Sequence, residues 1–272
     1  VLGVSRSGYY AWRRRAPSAR EMANQALCEQ IKAVYDESFG TYGSPRIYHE
    51  LKEQGVTCSA NRIARLMRLR GLRARQTKRY RTTTRRNLAA RAAPNLLKGD
   101  FRAGRPDQIW LADITYIATE EGWLYLAAIE DLYTRGIVGW AMSDRMTANL
   151  TLGALEMALE CRQPGAGVIH HSDQGSQYTD RAYQTLLQTH GVQASMNSVG
   201  SWYDNAPMES FFGTLKSEWV YHSLYHTRAQ AQADVFYYIE GFYNRRRRHS
   251  ALDYLSPDAF EQLFYEHRRT GA

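Results

Sequence analysis

The chain has 272 residues, of which 44% are hydrophobic, so it can bury an ordinary core and is not expected to be intrinsically disordered. Its formal net charge of +8 is unevenly distributed, because residues 1–100 hold 21 basic and 7 acidic side chains, whereas residues 101–272 hold 14 and 20. No stretch has the roughly 18 apolar residues of a membrane span, and the three cysteines lack the spacing of a secreted disulfide framework, which excludes those classes and predicts a cytoplasmic protein.

Three short helices are predicted near the N-terminus. Apolar residues at helical spacing predict a helix over residues 22–37, and Ser44 and Ser59 are expected to cap two further helices that end near Gln54 and Arg70. Three short helices joined by tight turns resemble a helix-turn-helix unit. This part of the chain is therefore expected to be a small all-α domain.

A long basic segment overlaps the third predicted helix. No acidic residue occurs between Glu53 and Asp100, while thirteen Lys and Arg residues fall there. A solvated helix face normally mixes charge signs, so a run of one sign favours a polyanion, most simply nucleic acid, as the partner. An ordinary solvated surface is the alternative.

The arginines of the third helix are regularly spaced. Arg62, Arg65 and Arg68 step by three residues along one face, as cations that follow a DNA groove would. We predict a DNA-binding module within residues 1–76 and a basic linker, poor in apolar residues, over residues 77–105. The candidate DNA-contacting residues here are Arg62, Arg65, Arg68, Arg73, Arg75, Lys78 and Arg79.

Residues 106–272 alternate between strand and helix patterns. Runs rich in β-branched and aromatic residues predict three antiparallel strands, at residues 109–118, 123–132 and 136–142. A helix (148–160), a strand (168–170), a helix (180–189) and a strand (192–196) follow, and then helices that begin near Asn205 and Arg228. This element order is that of a ribonuclease H-like α/β domain.

Three acidic residues stand at prominent positions of this domain. Asp113 lies inside the first strand among apolar neighbours, Asp173 directly follows a strand, and Glu209 lies in the first turns of a helix. Two-metal phosphoryl transfer needs carboxylates that converge from separate elements. Each acid also has an ordinary interpretation, as a buried hydrogen-bonding Asp, a turn residue and a first-turn acid favoured by the helix dipole.

Several motifs accompany these acids. Thirty-five residues separate Asp173 from Glu209, and Lys216 follows seven residues after Glu209. Further matching stretches are residues 2–12 (LGVSRSGYYAW), 40–46 (GTYGSPR), 110–115 (WLADIT), 171–178 (HSDQGSQY), 204–212 (DNAPMESFF) and 243–252 (YNRRRRHSAL). The combination resembles the D,D-35-E signature of the transposase and retroviral-integrase superfamily. More narrowly, it resembles the second-reading-frame (OrfB) transposases of bacterial two-frame insertion sequences.

The resemblance assigns roles to individual residues. It implies that Asp113, Asp173 and Glu209 bind Mg²⁺, with Mn²⁺ as a substitute, in an integrase catalytic core. Lys216 lies about 10.5 Å, two helical turns, beyond Glu209, so it can act in catalysis by reaching a phosphate beside the metal ions, with a solvated lysine as the alternative. Asn205 is expected to cap its helix and not to touch DNA.

Other polar residues near these motifs have weaker signals. His170 and His171 could ligate a metal ion, but a packed or hydrogen-bonded pair at the strand end is expected. Four consecutive arginines fit phosphate clamping better than a solvated run: Arg245, Arg246, Arg247 and Arg248. A zinc module is not expected, because His49, Cys28 and Cys58 lack the required spacing.

The resemblance implies an Mg²⁺-dependent transposase that nicks a DNA strand and joins the freed 3′ end to another site. The expected partners are double-stranded DNA, at the insertion-sequence ends and the target, the first-reading-frame segment, and further copies of the chain on DNA at the nucleoid. Two alternatives are a non-catalytic helix-turn-helix regulator and a ribonuclease H-type nuclease that cuts RNA in hybrids. Because the sequence begins with Val1 and not with Met, we expect that it is a fragment or that other residues precede it.

Overall fold

A computed structural model of the chain describes Gly3 and residues 5–75, 93–197 and 205–271. The chain divides into two compact units, Val1–Arg75 and Gln76–Ala272. Within the ranges described, no helix combines the length and the apolarity that crossing a bilayer requires.

The first unit is all-helical. Its helices are α1 (Arg6–Arg14), α2 (Ala19–Glu37), α3 (Ser44–Glu53) and α4 (Ala60–Leu69). Apolar side chains of α2, α3 and α4 form its core: Leu27, Ile31, Val34, Ile47, Leu51, Ile63, Leu66 and Met67. The three predicted helices are therefore present as α2 to α4. The sequence analysis did not predict α1, which buries no residue.

The caps of α3 and α4 differ from each other. Ser59 caps α4 as predicted, since its Oγ accepts a hydrogen bond from the Arg62 backbone N–H at 3.3 Å. The prediction that Ser44 caps α3 was wrong, because Gly43 is the N-cap residue and Ser44 is already helical. Pro45 still lies in the first turn, where its missing N–H costs no hydrogen bond.

The second unit is built on a five-stranded sheet. Its strands are β1 (Ile109–Thr119), β2 (Gly122–Asp131), β3 (Ile137–Ser143), β4 (Ile169–Ser172) and β5 (Gln193–Met196), in the sheet order β3-β2-β1-β4-β5. Strands β1 to β3 are antiparallel, and β4 and β5 run parallel to β1. The strands predicted from the sequence are all present.

Helices follow the sheet strands in the predicted order. They are α5 (Ala148–Arg162), α6 (Arg181–Thr189), α7 (Ala206–Glu218), α8 (Arg228–Phe236) and α9 (Pro257–Thr270). Helix α8 continues into a π-helical segment, Tyr237–Tyr243, and short 3₁₀ turns span Val220–His222 and Ser250–Leu252. The π-helical segment was not predicted.

The sheet is covered on both faces. Trp110, Ala112 and Ile129 pack with residues of α5 and α6 in one cluster, while the alternate residues Leu111 and Leu126 are buried as well. A strand pattern with apolar residues on both faces, as in β1 and β2, is typical of such a central position.

Gly139 sets how closely α5 approaches β3. A Cβ atom on Gly139 would overlap the carbonyl oxygen of Ala154 and lie 2.7 Å from the Cβ of Ala158. The absence of a side chain at this position therefore lets the helix lie directly on the strand.

The residues that follow position 92, where the described part of the second unit begins, pack against its sheet. The Leu96 backbone N–H donates to Ser195 Oγ of β5 at 2.9 Å, and the Leu97 side chain is buried. The part of the predicted linker that the structure describes, residues 93–105, thus begins with a segment that contacts the sheet edge.

Candidate active site

The parallel pairing of β1 with β4 ends early. Backbone pairing covers Ile109 to Leu111, with Leu111 opposite His171, so continuing this register places Asp113 beside Asp173. Beyond Leu111 the edge of β1 is approached by α7, since Asn205 Nδ2 donates to the Ala112 carbonyl at 3.3 Å. The N-terminus of α7 is thereby held beside the strand that carries Asp113.

The charges of several neighbouring side chains act on Asp113. Its side chain is part-buried, and its Oδ1 accepts a hydrogen bond from the Ile114 N–H at 2.8 Å. Burial, and then the negative charges of Asp173 and Glu209, raise the pKa of Asp113 to about 7, although the Ile114 N–H and Lys216 oppose this shift. The carboxylates of a loop and of a helix therefore act together on Asp113, which lies on a strand.

Asp173 is fixed by the loop that follows β4. Its Oδ1 accepts a hydrogen bond from the Gly175 N–H at 2.8 Å. A Cβ atom on Gly175 would lie 2.8 Å from the same oxygen, so glycine leaves space for the carboxylate. The φ of Gly175 is not positive, so space and not an unusual backbone conformation explains glycine here.

Glu209 lies in the first turn of α7 and is exposed. The large apolar side chains of this helix, including Met208, Phe211 and Leu215, are buried. Asn205 occupies the N-cap position, but the predicted cap is wrong because its side chain makes no cap hydrogen bond and bonds to β1 instead.

Lys216 is not a solvated lysine. Its side chain is only 7% exposed, and its Nζ lies 4.7 Å from the centroid of the Tyr116 ring. Burial lowers the pKa of Lys216, while the charge of Asp113 opposes this change. The sequence analysis missed Tyr116, because a spacing of three residues on a strand places its side chain on the opposite sheet face from Asp113 and so gave no signal.

The two histidines of β4 are structural. His170 Nε2 and Tyr183 Oη are hydrogen-bonded at 2.9 Å, and His171 Nδ1 lies 2.8 Å from Ser195 Oγ. Burial, with a smaller effect of His171, lowers the pKa of His170 to about 3, so this ring stays neutral. The expectation of a buried, hydrogen-bonded pair is confirmed.

The consecutive arginines after the π-helical segment differ in their surroundings. Arg245 and Arg246 are exposed, but Arg247 is only 4% exposed and forms two hydrogen bonds of 2.7 Å with Glu218. The structure therefore contradicts the phosphate-clamping role predicted for Arg247, because its guanidinium is turned into the protein. Arg248 is part-buried and donates to the Tyr254 carbonyl at 2.9 Å.

The predicted DNA-contacting arginines of the first unit lie mostly at its surface. Arg65, Arg68, Arg73 and Arg75 are exposed. Arg62 is part-buried, and its Nε donates to Asn24 Oδ1 at 3.0 Å. Lys78 and Arg79 lie outside the described residues.

The donor chemistry of the site fits a divalent cation. Within the described ranges no three His, Cys, Asp or Glu side chains form a ready-made cage for one ion. Mg²⁺ in phosphoryl-transfer sites, however, is held through one or two carboxylates together with water and substrate phosphates. The raised pKa of Asp113 is the structural observation that fits, because a cation would relieve the repulsion among its neighbours.

Comparisons with known families agree with this arrangement. Residues 103–201 and 190–257 match two models described as integrase core domain, and residues 22–80 match an HTH-like domain. One intasome chain, from the cryo-EM structure of the simian T-cell lymphotropic virus intasome in complex with PP2A regulatory subunit B56 gamma, aligns with a TM-score of 0.50 at 13% identity. This alignment covers 85% of this chain and 74% of that one. The predicted fold, a ribonuclease H-like integrase core with a helix-turn-helix-like domain, is confirmed.

Curated relatives are similar over almost the whole chain. A Shigella sonnei protein described as the insertion element IS600 uncharacterized 31 kDa protein is 47% identical over 266 residues, which cover 98% of both chains. The transposase InsF for insertion sequence IS3A of Escherichia coli (strain K12) is 43% identical over 96% of this chain and 91% of its own. The chain therefore belongs to the OrfB-type transposases of IS3-like insertion sequences, within the DDE integrase superfamily.

Proposed function

We propose that Asp113, Asp173 and Glu209 are the catalytic carboxylates of this transposase and that they bind Mg²⁺, or Mn²⁺ as a substitute, to cut and join DNA strands. The observation that carries this proposal is the placement of the acids: the register of β1 and β4 continues to Asp113 and Asp173, and α7, which has Glu209 in its first turn, is bonded to β1. The raised pKa of Asp113 agrees with this placement. Carboxylates that repel one another cost stability, and strongly perturbed groups of this kind are typical of functional sites.

The side chains divide the chemical work. Bound divalent cations stabilise the attacking and leaving oxygens of the transferred phosphoryl group. Asp113 on β1, Asp173 in the loop after β4 and Glu209 on α7 are the residues that would hold the cations. Lys216, held against Tyr116, pairs with a phosphate oxygen of the bound strand.

Two displacements at phosphorus follow from this arrangement. In the first, a water oxygen bonds to phosphorus, the bond to the 3′ oxygen breaks, and that oxygen takes up a proton. In the second, the freed 3′-hydroxyl gives up its proton, attacks another phosphodiester and releases the 3′ oxygen of that strand. The carboxylates act as ligands throughout, so no covalent protein–DNA bond is formed.

For the DNA contacts we propose the arginines that the structure places at the surface. These are Arg65, Arg68, Arg73 and Arg75 in the first unit and Arg245 and Arg246 in the second. Arg62 and Arg248, which bond to other parts of the chain, are secondary members, and Lys78 and Arg79 remain sequence-based proposals.

The experiment that tests the catalytic carboxylates uses Asp113→Asn, Asp173→Asn and Glu209→Gln. Each variant should lose Mg²⁺-dependent cleavage and strand transfer on duplex DNA that carries an insertion-sequence end, while binding of that DNA persists. Asp144→Asn and Glu156→Gln, which change exposed acids elsewhere, are the matched controls and should stay active. If a site variant retained strand transfer, that residue would not be a catalytic carboxylate. If the wild-type chain cut only RNA–DNA hybrids, the proposed reaction on duplex DNA would be contradicted.

We also propose that the active assembly contains at least two copies of the chain and a first-reading-frame segment. Two findings support this proposal: the chain belongs to a transposase family, and a protein of similar fold is part of an intasome. Paired insertion-sequence ends, Mg²⁺ and the separately supplied segment should give joined DNA products. Equal product formation without the segment would contradict its role.

A further inference from the structure

An exposed aromatic side chain lies at the start of β2. Trp123 is 49% exposed and packs edge-on against Tyr116, with ring centroids 4.8 Å apart. In the β1–β2 register Trp123 pairs with Ala118 and Tyr116 pairs with Tyr125, so the two rings are diagonal neighbours on one sheet face.

This pair of rings is joined to the candidate active site. Tyr116 carries the Lys216 ammonium over its ring and follows Asp113 by three residues on the same strand. At about 3.3 Å per residue the two positions lie about 10 Å apart along β1. That distance spans about three base steps of a duplex, at 3.4 Å per step on each strand.

The turn that presents Trp123 is firmly held. The Arg228 side chain donates to the carbonyls of Glu121 at 2.6 Å and of Trp123 at 3.0 Å. The Glu120 N–H donates to the Tyr225 carbonyl at 3.0 Å. An exposed indole on a fixed turn is already placed for binding, so little conformational entropy is lost when a ligand stacks on it.

The surroundings favour a nucleobase as the ligand. The carboxylates of the turn are engaged, Glu120 with His226 at 2.9 Å and Glu121 with the Arg228 N–H at 2.8 Å. The Lys216 ammonium lies over the Tyr116 ring, and aromatic rings beside cations are the usual stacking surface for a DNA strand.

We propose that Trp123, backed by Tyr116, stacks on a base of the DNA strand that the candidate active site holds. The inference rests on the proposed strand-transfer function and assigns it a further strand-positioning residue. Tyr221 and Leu224, which are 46% and 75% exposed, lie in the segment just before Tyr225, whose carbonyl is bonded to the turn.

The test uses duplexes of the insertion-sequence end with 2-aminopurine at successive positions, without Mg²⁺ so that no cleavage occurs. The wild-type chain should quench the fluorescence at one position, Trp123→Phe should keep the quenching, and Trp123→Leu should lose it. Tyr265→Ala, which removes a similarly exposed ring from α9, is the control and should quench as the wild type does. With Mg²⁺, strand transfer by Trp123→Leu should fall about tenfold, in line with the loss of one base stack.

Equal quenching by the Leu and Phe variants would overturn the stacking role. So would a change in oligomeric state on Trp123→Leu with unchanged quenching, because it would assign the surface to a protein partner. The quenching does not depend on cleavage, and Asp113→Asn should retain it. A wild-type chain that quenches but never cleaves would therefore contradict the proposed function and not this inference.

Discussion

Asp113 is held in surroundings that favour its protonated form, with a pKa raised from 3.8 to about 7 by burial and by the charges of Asp173 and Glu209. An acid whose pKa is raised on folding stabilises the protein fully below the unfolded pKa. That contribution is lost as the pH rises through the folded pKa, here between about pH 4 and pH 7. In the metal-free protein the ionised site therefore costs stability above neutrality.

Asp113→Asn should consequently stabilise the metal-free protein at pH 8. The expected gain in the free energy of unfolding is about 1–3 kcal/mol, less than the ~4 kcal/mol that three pKa units represent, because solvent reaches this part-buried side chain. At pH 5 the gain should be less than half as large. Urea unfolding in the presence of a chelator measures both values, and an equal gain at the two pH values would contradict the cause assigned to the shift.

The Arg247–Glu218 pair is a second case in which residue surroundings decide the role. Arg247→Met should lower the free energy of unfolding by about 3–5 kcal/mol, because it leaves the Glu218 carboxylate buried without its partner. The neighbouring exposed Arg246→Met should change stability by less than about 0.5 kcal/mol but weaken DNA binding. Thermal unfolding and DNA titration separate the two effects; equal stability of the variants would contradict the buried pair.

At the scale of elements, the contact between α5 and β3 depends on small residues. Gly139 faces the backbone of Ala154 and Ala158, where neither neighbour can move as a flexible side chain would. Gly153 lies in the same interface, but a Cβ there would meet the Ala141 Cβ at an ordinary 3.4 Å. A side chain at position 139 would therefore clash with the helix, whereas position 153 has room for one.

Gly139→Ala should destabilise the protein by about 1–3 kcal/mol or more through overpacking. Gly153→Ala should be neutral or stabilise by up to about 1 kcal/mol, because alanine loses less backbone entropy in a helix. Chemical unfolding of both variants checks this pair. A stable Gly139→Ala variant would show that α5 can move away from the sheet at little cost.

At the scale of the whole molecule, the two units differ in net charge. The exposed arginines of α4 belong to a first unit with an excess of basic side chains, whereas the second unit, which contains the candidate carboxylates, has no net charge. Most of the salt-dependent affinity for DNA is therefore expected to come from the first unit, while metal dependence comes from the second.

The double variant Arg65→Ala/Arg68→Ala should reduce the slope of log affinity against log salt by about 2, at about 0.9 per phosphate contact. Arg181→Ala, which removes an exposed arginine from α6, should leave the slope unchanged. Binding titrations at several salt concentrations give the slopes. If both variants keep the wild-type slope, the phosphate contacts lie elsewhere.

The sequence by itself determined the order and type of most elements. It could do so because apolar periodicity and capping are local properties of the chain. It also located Asp113 in a central strand and Asp173 directly after another, and the sheet order β1-β4 then makes these strands neighbours. The spacing of the acids identified the family before any distance was known.

The tertiary structure alone decided which polar groups are buried and what they contact. Arg247 could not be distinguished from Arg245 or Arg246 in the sequence, because its partner Glu218 lies 29 residues away. Asn205 was expected to cap its helix, but the Ala112 carbonyl, 93 residues away, accepts its hydrogen bond. Burial and pairing depend on contacts between distant segments, and local patterns carry no record of those contacts.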